Sequence, residues 1–178
     1  MKNILISTGG SGGHVILALN IYEHLKNNFE IHIFTDKRGK KFINNKKYNF
    51  IELSIPQIPK NLFFKLLILY PLLVATIKSY RFIKSKKIKI VFSTGGYMSL
   101  PLCISGILAG AKIFLIEPNM VLGRSNKFFL KFCKKILCYS KNIVNFPEKY
   151  NTKKFVIEPI LSKLTYETKK SSAKNIEE

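Results

Sequence analysis

Apolar positions along the chain switch between two spacings. Residues 2–7 (KNILIS) form a short β-rich run that ends in Thr8-Gly9-Gly10-Ser11-Gly12-Gly13. Residues 14–26 then take helical spacing, with Val15, Leu17/Ala18, Ile21/Tyr22 and Leu25 on one face. Residues 30–35 (EIHIFT) alternate like a strand, 37–45 read as a polar helix or loop, and 50–53 as a short strand. Residues 62–83 predict a long apolar helix with a bend at Pro71. Residues 89–93 (KIVFS) form a strand ending in Thr94-Gly95-Gly96, and 97–109 a helix that tolerates Pro101 in its first turn. Residues 112–116 (KIFLI) are a strand ending in Glu117-Pro118-Asn119. A helix over 124–132, a strand over 135–139 and a candidate last strand over 155–157 complete the pattern.

Strands alternating with helices predict an α/β fold: a Rossmann-like parallel sheet with right-handed crossovers and helices on both faces. Ligands of such sheets sit beyond the carboxyl ends of the strands. Three turns are therefore expected on one edge: 8–14, 94–97 and 117–119. After Pro159 the pattern decays, so residues 1–160 read as one domain and 161–178 as a polar linker or tail.

Composition narrows the function classes. The chain has 178 residues, 47% of them hydrophobic, enough for one domain with a real core and too ordered in character for a disordered chain. The formal net charge of +20 favours a polyanion: nucleic acid, an anionic membrane face or a phosphorylated substrate. Part of that excess reflects the Lys-, Asn- and Ile-rich composition common in AT-rich genomes. The basic residues are scattered and match no RNA- or DNA-binding motif, so no nucleic-acid partner is expected. Cys103, Cys133 and Cys138 are odd in number and lack CxxC or Cys/His spacing, which argues against a disulfide framework and against bound metal. They read as buried small hydrophobes in a reducing compartment. No secretory signal is expected at the start of the chain. The apolar stretch 62–77 falls short of the ~20 residues a spanning helix needs and is interrupted by Lys65 and Pro71, so it reads as interfacial or buried.

The strongest chemical signal is Gly9-Gly10-Ser11-Gly12-Gly13-His14. Glycines there let the backbone take positive φ and approach a ligand closely, and the helix that follows offers free N–H groups to an anion. The register differs from the dinucleotide GxGxxG, and no Lys-Ser/Thr pair follows as in a Walker A loop. Asp36 ends the second strand, where a ribose-binding acid would stand, but the glycine register argues against a nicotinamide enzyme. Gly95-Gly96-Tyr97 repeats the arrangement, and the two turns together form a candidate two-sided phosphate cradle. His14, at a helix start, is a candidate general base or anion contact. Glu117 is a candidate proton acceptor or sugar-hydroxyl ligand, and Asn119 a sugar-hydroxyl ligand. On the long helix, Phe63, Phe64, Leu67 and Leu69, with Lys65, Lys78 and Arg81 beside them, make a candidate anionic-membrane contact.

Gly123-Arg124-Ser125-Asn126 adds a fourth piece. GGSGGH at 9–14, GGY at 95–97, Glu-x-Asn at 117–119 and this segment, which is similar to a Gly-Leu-Thr-Asn motif, together resemble the N-terminal domain of the MurG-like glycosyltransferases of family 28. The likeness covers residues 2–159. It implies the acceptor half of an inverting, metal-independent GT-B hexosyltransferase that needs no cofactor. In that family N-acetylglucosamine passes from UDP-GlcNAc to the C4 hydroxyl of an undecaprenyl-diphosphate-linked sugar, in peptidoglycan synthesis. The N-terminal domain faces an anionic membrane surface, peripherally, on the cytoplasmic side. Carried over by position, His14 and Glu117 are the catalytic candidates. Gly10, Ser11, Gly12, Gly13, Gly95, Gly96, Tyr97 and Asn126 would bind the substrate in the acceptor cleft, with Glu117 and Asn119 contacting the acceptor sugar.

Three departures accompany the likeness. Leu17-Ala18 stands where the family usually has Pro-Ala. Ile157-Glu158-Pro159-Ile160-Leu161 replaces a common Gly-Asn-Pro-Val-Arg. The family's second Rossmann domain, with its donor loop, is expected to be absent from this chain. A fragment of a longer enzyme, a natural subunit paired with a separate donor-binding chain, and a degenerate remnant all fit. A non-catalytic membrane-binding subunit that recruits such a chain is the alternative to an enzyme half.

Overall fold

The period-2 runs pair side by side into one sheet. The computed structural model describes residues 2–55 and 62–162. Among them are strands β1 (Lys2–Ser7), β2 (Phe29–Thr35), β3 (Phe50–Glu52), β4 (Ile90–Ser93), β5 (Lys112–Glu117), β6 (Lys135–Cys138) and β7 (Lys154–Val156). The helices between them are α1 (Gly12–Leu25), α2 (Lys37–Lys40), α3 (Leu62–Ser85), α4 (Ser99–Leu108) and α5 (Arg124–Phe129), and a 3-10 turn (Glu148–Lys153) precedes β7. All neighbouring strands are parallel, in the order β3-β2-β1-β4-β5-β6-β7. The order reverses between β1 and β4, and a parallel sheet opens its ligand crevice at that switch point.

Both faces of the sheet are covered, as the β1 residues Leu5 and Ile6 illustrate. Successive strand residues point to opposite sides. Leu5 joins Val91, Leu102, Ile113, Leu115 and Phe129 under α3, α4 and α5. Ile6 joins Ala18, Ile21 and Ile116 under α1. Leu115 and Ile116 divide in the same way. Replacing one of the buried leucines or isoleucines among them by alanine costs about 2–5 kcal/mol through lost burial and the cavity left behind.

The long helix is continuous through Pro71 to Ser85. Its inner stripe is Ala75, Ser79 and Ile83, all buried, and Ser105 of α4 donates its hydroxyl to the carbonyl of Thr76 at 2.7 Å. Small residues on that stripe let α3 and α4 approach closely. The predicted helices over 97–109 and 124–132 are shorter in the structure, at Ser99–Leu108 and Arg124–Phe129. Past β7 the chain returns to α1: Ile160 N–H donates to the Tyr139 hydroxyl at 3.0 Å, and Asn20 Nδ2 donates to the Ile160 carbonyl at 2.9 Å. Residues 163–178, most of the expected tail, lie outside the described residues.

Candidate functional site

The two glycine turns meet at the switch point. Ser7 and Ser93 are register partners at the ends of β1 and β4, and Thr94 N–H donates to the Ser7 carbonyl at 3.1 Å. The hydroxyls of Thr94 and Thr8 join one residue further out, at 3.0 Å. Beyond them the chain needs positive φ: 83° at Gly10, 96° at Gly95 and 75° at Gly96, conformations that a Cβ penalises. Gly12 and Gly13 differ from the expectation of a fully glycine-shaped loop, because both lie in the first turn of α1. A Cβ on Gly12 would press on the Phe42 ring, whereas one on Gly13 would meet nothing within 4 Å. The open ground at Gly13 is continuous with Ser11, His14 and Ile16. Among the described residues nothing caps this helix: Ser11 makes no side-chain cap bond and the first turn has no acid. Its leading N–H groups and the positive end of its dipole are free for an anion.

Glu117 ends β5 beside these turns and is 2% exposed. Its Oε1 accepts from Asn119 N at 3.2 Å and Asn119 Nδ2 at 3.1 Å. Its Oε2 accepts from Gly123 N at 2.8 Å and Asn126 Nδ2 at 3.0 Å. The carboxylate thus folds the 118–126 segment around itself. A Cβ on Gly123 would stand 3.1 Å from Oε2, so a side chain there would press on the carboxylate. His14, Gly95, Gly96, Tyr97, Glu117, Asn119 and Asn126 line one cleft of about 520 Å³. Three buried polar atoms of this cleft's residues lack any hydrogen-bond partner: His14 Nδ1, Ser125 Oγ and Asn126 Oδ1. Such atoms cost free energy unless a ligand or water satisfies them.

A second carboxylate, missed as a site residue in the sequence, stands on the other side of β1. Asp36 directly follows the strand next to β1, caps α2 and is 2% exposed. Its Oδ1 accepts from Gly10 N at 3.0 Å and Gly39 N at 2.8 Å. Its Oδ2 accepts from Arg38 Nε at 3.2 Å and from the Tyr97 hydroxyl. Arg38 in turn lies over the Tyr97 ring, 4.7 Å from its centre. Burial by itself would raise the Asp36 carboxyl, but the bonds from Tyr97, Gly10, Gly39 and Arg38 outweigh it and hold the group below its ordinary value. Burial and the Asp36 bond push the Tyr97 hydroxyl up to about 12. Tyr97 therefore joins the cluster through its hydroxyl while its ring borders the cleft. The signal for Asp36 was its place at the end of the strand that flanks β1.

The outer stripe of α3 is apolar and open. Leu69, Leu73 and Ile77, spaced by four, are 58%, 57% and 43% exposed, and Tyr70 beside them is 75% exposed. Lys78 and Arg81 are exposed at the same end. The side chains of Phe63, Phe64, Lys65 and Leu67 lie outside the described residues. Among the described residues no helix is long and apolar enough to cross a membrane.

Residues 4–138 match the model of the glycosyltransferase family 28 N-terminal domain. The chain belongs to glycosyltransferase family 28. A Pelagibacter ubique relative in that family is 50% identical over 165 residues, covering 93% of this chain and 46% of its own length. It is named as a UDP-N-acetylglucosamine--N-acetylmuramyl-(pentapeptide) pyrophosphoryl-undecaprenol N-acetylglucosamine transferase. A Rickettsia typhi protein of the same name is 36% identical over 150 residues, covering 83% of this chain and 38% of its own length. The chain thus spans less than half the length of these relatives. Acinetobacter baumannii MurG is similar in fold, with a TM-score of 0.76 at 23% identity over 89% of this chain and 46% of that one. The family's fold assignment, a Rossmann-like N-terminal half of a GT-B glycosyltransferase, agrees with the parallel sheet described above.

Proposed function

We propose that this chain supplies the acceptor half of a hexosyltransferase that moves N-acetylglucosamine from UDP-GlcNAc to an undecaprenyl-diphosphate-linked sugar. The observation that carries the reading is the cleft at 117–126. It is large enough for a sugar, and its lining residues His14, Ser125 and Asn126 each carry a buried polar atom without a hydrogen-bond partner, beside an uncapped helix N-terminus suited to a phosphate.

In this reading the acceptor sugar occupies the cleft against Asn119 and Asn126, and its diphosphate lies over the glycine turns. The acceptor's C4 hydroxyl attacks the anomeric carbon of the donor, the bond to UDP breaks, and the configuration inverts. The hydroxyl proton passes to the imidazole of His14, which lines the cleft. Both oxygens of Glu117 already accept two N–H donors each, which favours a role in shaping the 118–126 segment over one in taking the proton. The donor's nucleotide is held by groups outside this chain's described residues. The outer stripe of α3 rests on the anionic cytoplasmic face of the membrane, peripherally, and each base near that surface contributes about 1 kcal/mol.

Binding of the 178-residue chain to vesicles with and without an analogue of the undecaprenyl-diphosphate-linked sugar, at matched surface charge and physiological salt, tests this reading. Tighter binding with the analogue is the expected outcome. Equal binding would leave a basic, apolar surface acting alone and would favour the recruiting module over the enzyme half.

A further inference from the structure

The cleft at 117–126 contains polar groups suited to a sugar, but its one lining cation, Arg124, is exposed and makes no ion pair among the described residues. A diphosphate over the glycine turns calls for a cation held in place. Arg38 meets that need, and nothing about the glycine motifs announces it. Its Nη2 stands 3.2 Å from where a Cβ on Gly10 would be, so the guanidinium lies over the backbone of the first glycine turn. Three contacts fix it: Nε donates to Asp36, the plane rests on Tyr97, and the short helix α2 carries its backbone. Asp36 engages Nε, at 3.2 Å, and the outer edge of the fork is oriented toward Gly10. A planar fork of this kind takes two phosphate oxygens at once. Asp36 also accepts from Gly10 N and from the Tyr97 hydroxyl, so the same carboxylate sets the distance between the two glycine turns and aims the cation across them. Tyr97 borders both the sugar cleft and the space beside Lys37 and Arg38.

We infer that Arg38 is the fixed cationic contact for the diphosphate of the acceptor, positioned by Asp36 and Tyr97. This rests on the acceptor reading above and adds the residue that distinguishes a diphosphate from a monophosphate. The sugar then lies on the Glu117 side of Tyr97 and the diphosphate spans from His14 toward Arg38.

The test compares binding of the 178-residue chain to vesicles carrying undecaprenyl diphosphate, undecaprenyl monophosphate or only phosphatidylglycerol, all at one surface charge and one ionic strength. The wild-type chain is expected to prefer the diphosphate. Arg38→Gln is expected to cut that preference at least tenfold and leave binding to phosphatidylglycerol vesicles unchanged. Arg38→Lys is expected to retain part of it, because a point charge replaces the fork. If Arg38→Gln does not fold by circular dichroism, Arg38→Lys alone decides, since it keeps the charge and stem. A full wild-type preference in the folded variant overturns the role of Arg38 and leaves the acceptor reading standing. No preference in the wild-type chain overturns both. Competition by free UDP at concentrations that displace the lipid would make this a nucleotide site and overturn the assignment to the acceptor.

Discussion

Two buried carboxylates flank the switch point, and they are built differently. Asp36, on the β2 side, accepts four donors of which one is a guanidinium. Glu117, on the β5 side, also accepts four, and all are neutral amide groups. Among the described residues no cation pairs with Glu117. The first is a charge-balanced clamp between loops. The second concentrates negative charge and unpartnered polar atoms at the floor of a cleft. A diphosphate is repelled by the second and served by the first, whereas sugar hydroxyls, which donate as well as accept, suit the second. Under the proposed function, the two ends of a phosphate-linked sugar would meet complementary electrostatics on opposite sides of Tyr97.

The sharpest way to break this comparison is to remove the proposed base and the cleft-shaping acid separately. In a transferase completed by a donor domain, His14→Ala is expected to lower kcat by about 100-fold, in the range of general-base removals. Glu117→Gln is expected to lower kcat/KM at least tenfold, because the new amide turns an N–H group toward N–H donors. Near-normal rates in both variants would remove the cleft from the chemistry.

Asp36→Ala is the next largest effect. It strips acceptors from Gly10, Gly39, Tyr97 and Arg38 at once, and about 3 kcal/mol of unfolding free energy is expected to be lost. A urea titration of both proteins measures it. The pH dependence distinguishes this clamp from a merely apolar one. The Asp36 carboxyl is held below its ordinary value of 3.8, so its contribution is complete above about pH 4 and is lost as pH falls through the depressed value. The Tyr97 hydroxyl is raised from 10.0 to about 12, so its contribution is complete below pH 10 and is lost as pH rises toward 12. Asp36→Ala is expected to flatten the acid limb; an unchanged limb would mean the clamp carries no such linkage.

Gly13→Ala gives the smallest effect and the cleanest separation of stability from binding. The residue is helical and a Cβ would meet open space, so stability is expected to rise by up to about 1 kcal/mol. Affinity for the acceptor lipid is expected to fall, because the added methyl would stand where the proposed reading brings the ligand's phosphate. A gain in both would move the ligand away from the start of α1.

The linear pattern of residues determined the order of strands and helices and the presence of three chemistry-bearing turns on one sheet edge. Strand and helix periodicities are local, and parallel pairing puts every carboxyl end on the same side whatever the strand order. His14, the glycine turns and the Glu117–Asn126 segment were legible for that reason. The partner of each polar atom depended on tertiary structure. Asp36 meets Tyr97 across 61 positions because β1 lies between β2 and β4, a neighbour relation that no local spacing encodes. Glu117 differs, since its four donors come from the segment just after it, but the division of α3 was again decided by packing. The apolar residues of that helix divide into a buried stripe at Ala75 and Ile83 and an open one at Leu69, Leu73 and Ile77, and only packing against α4 decided which face is which.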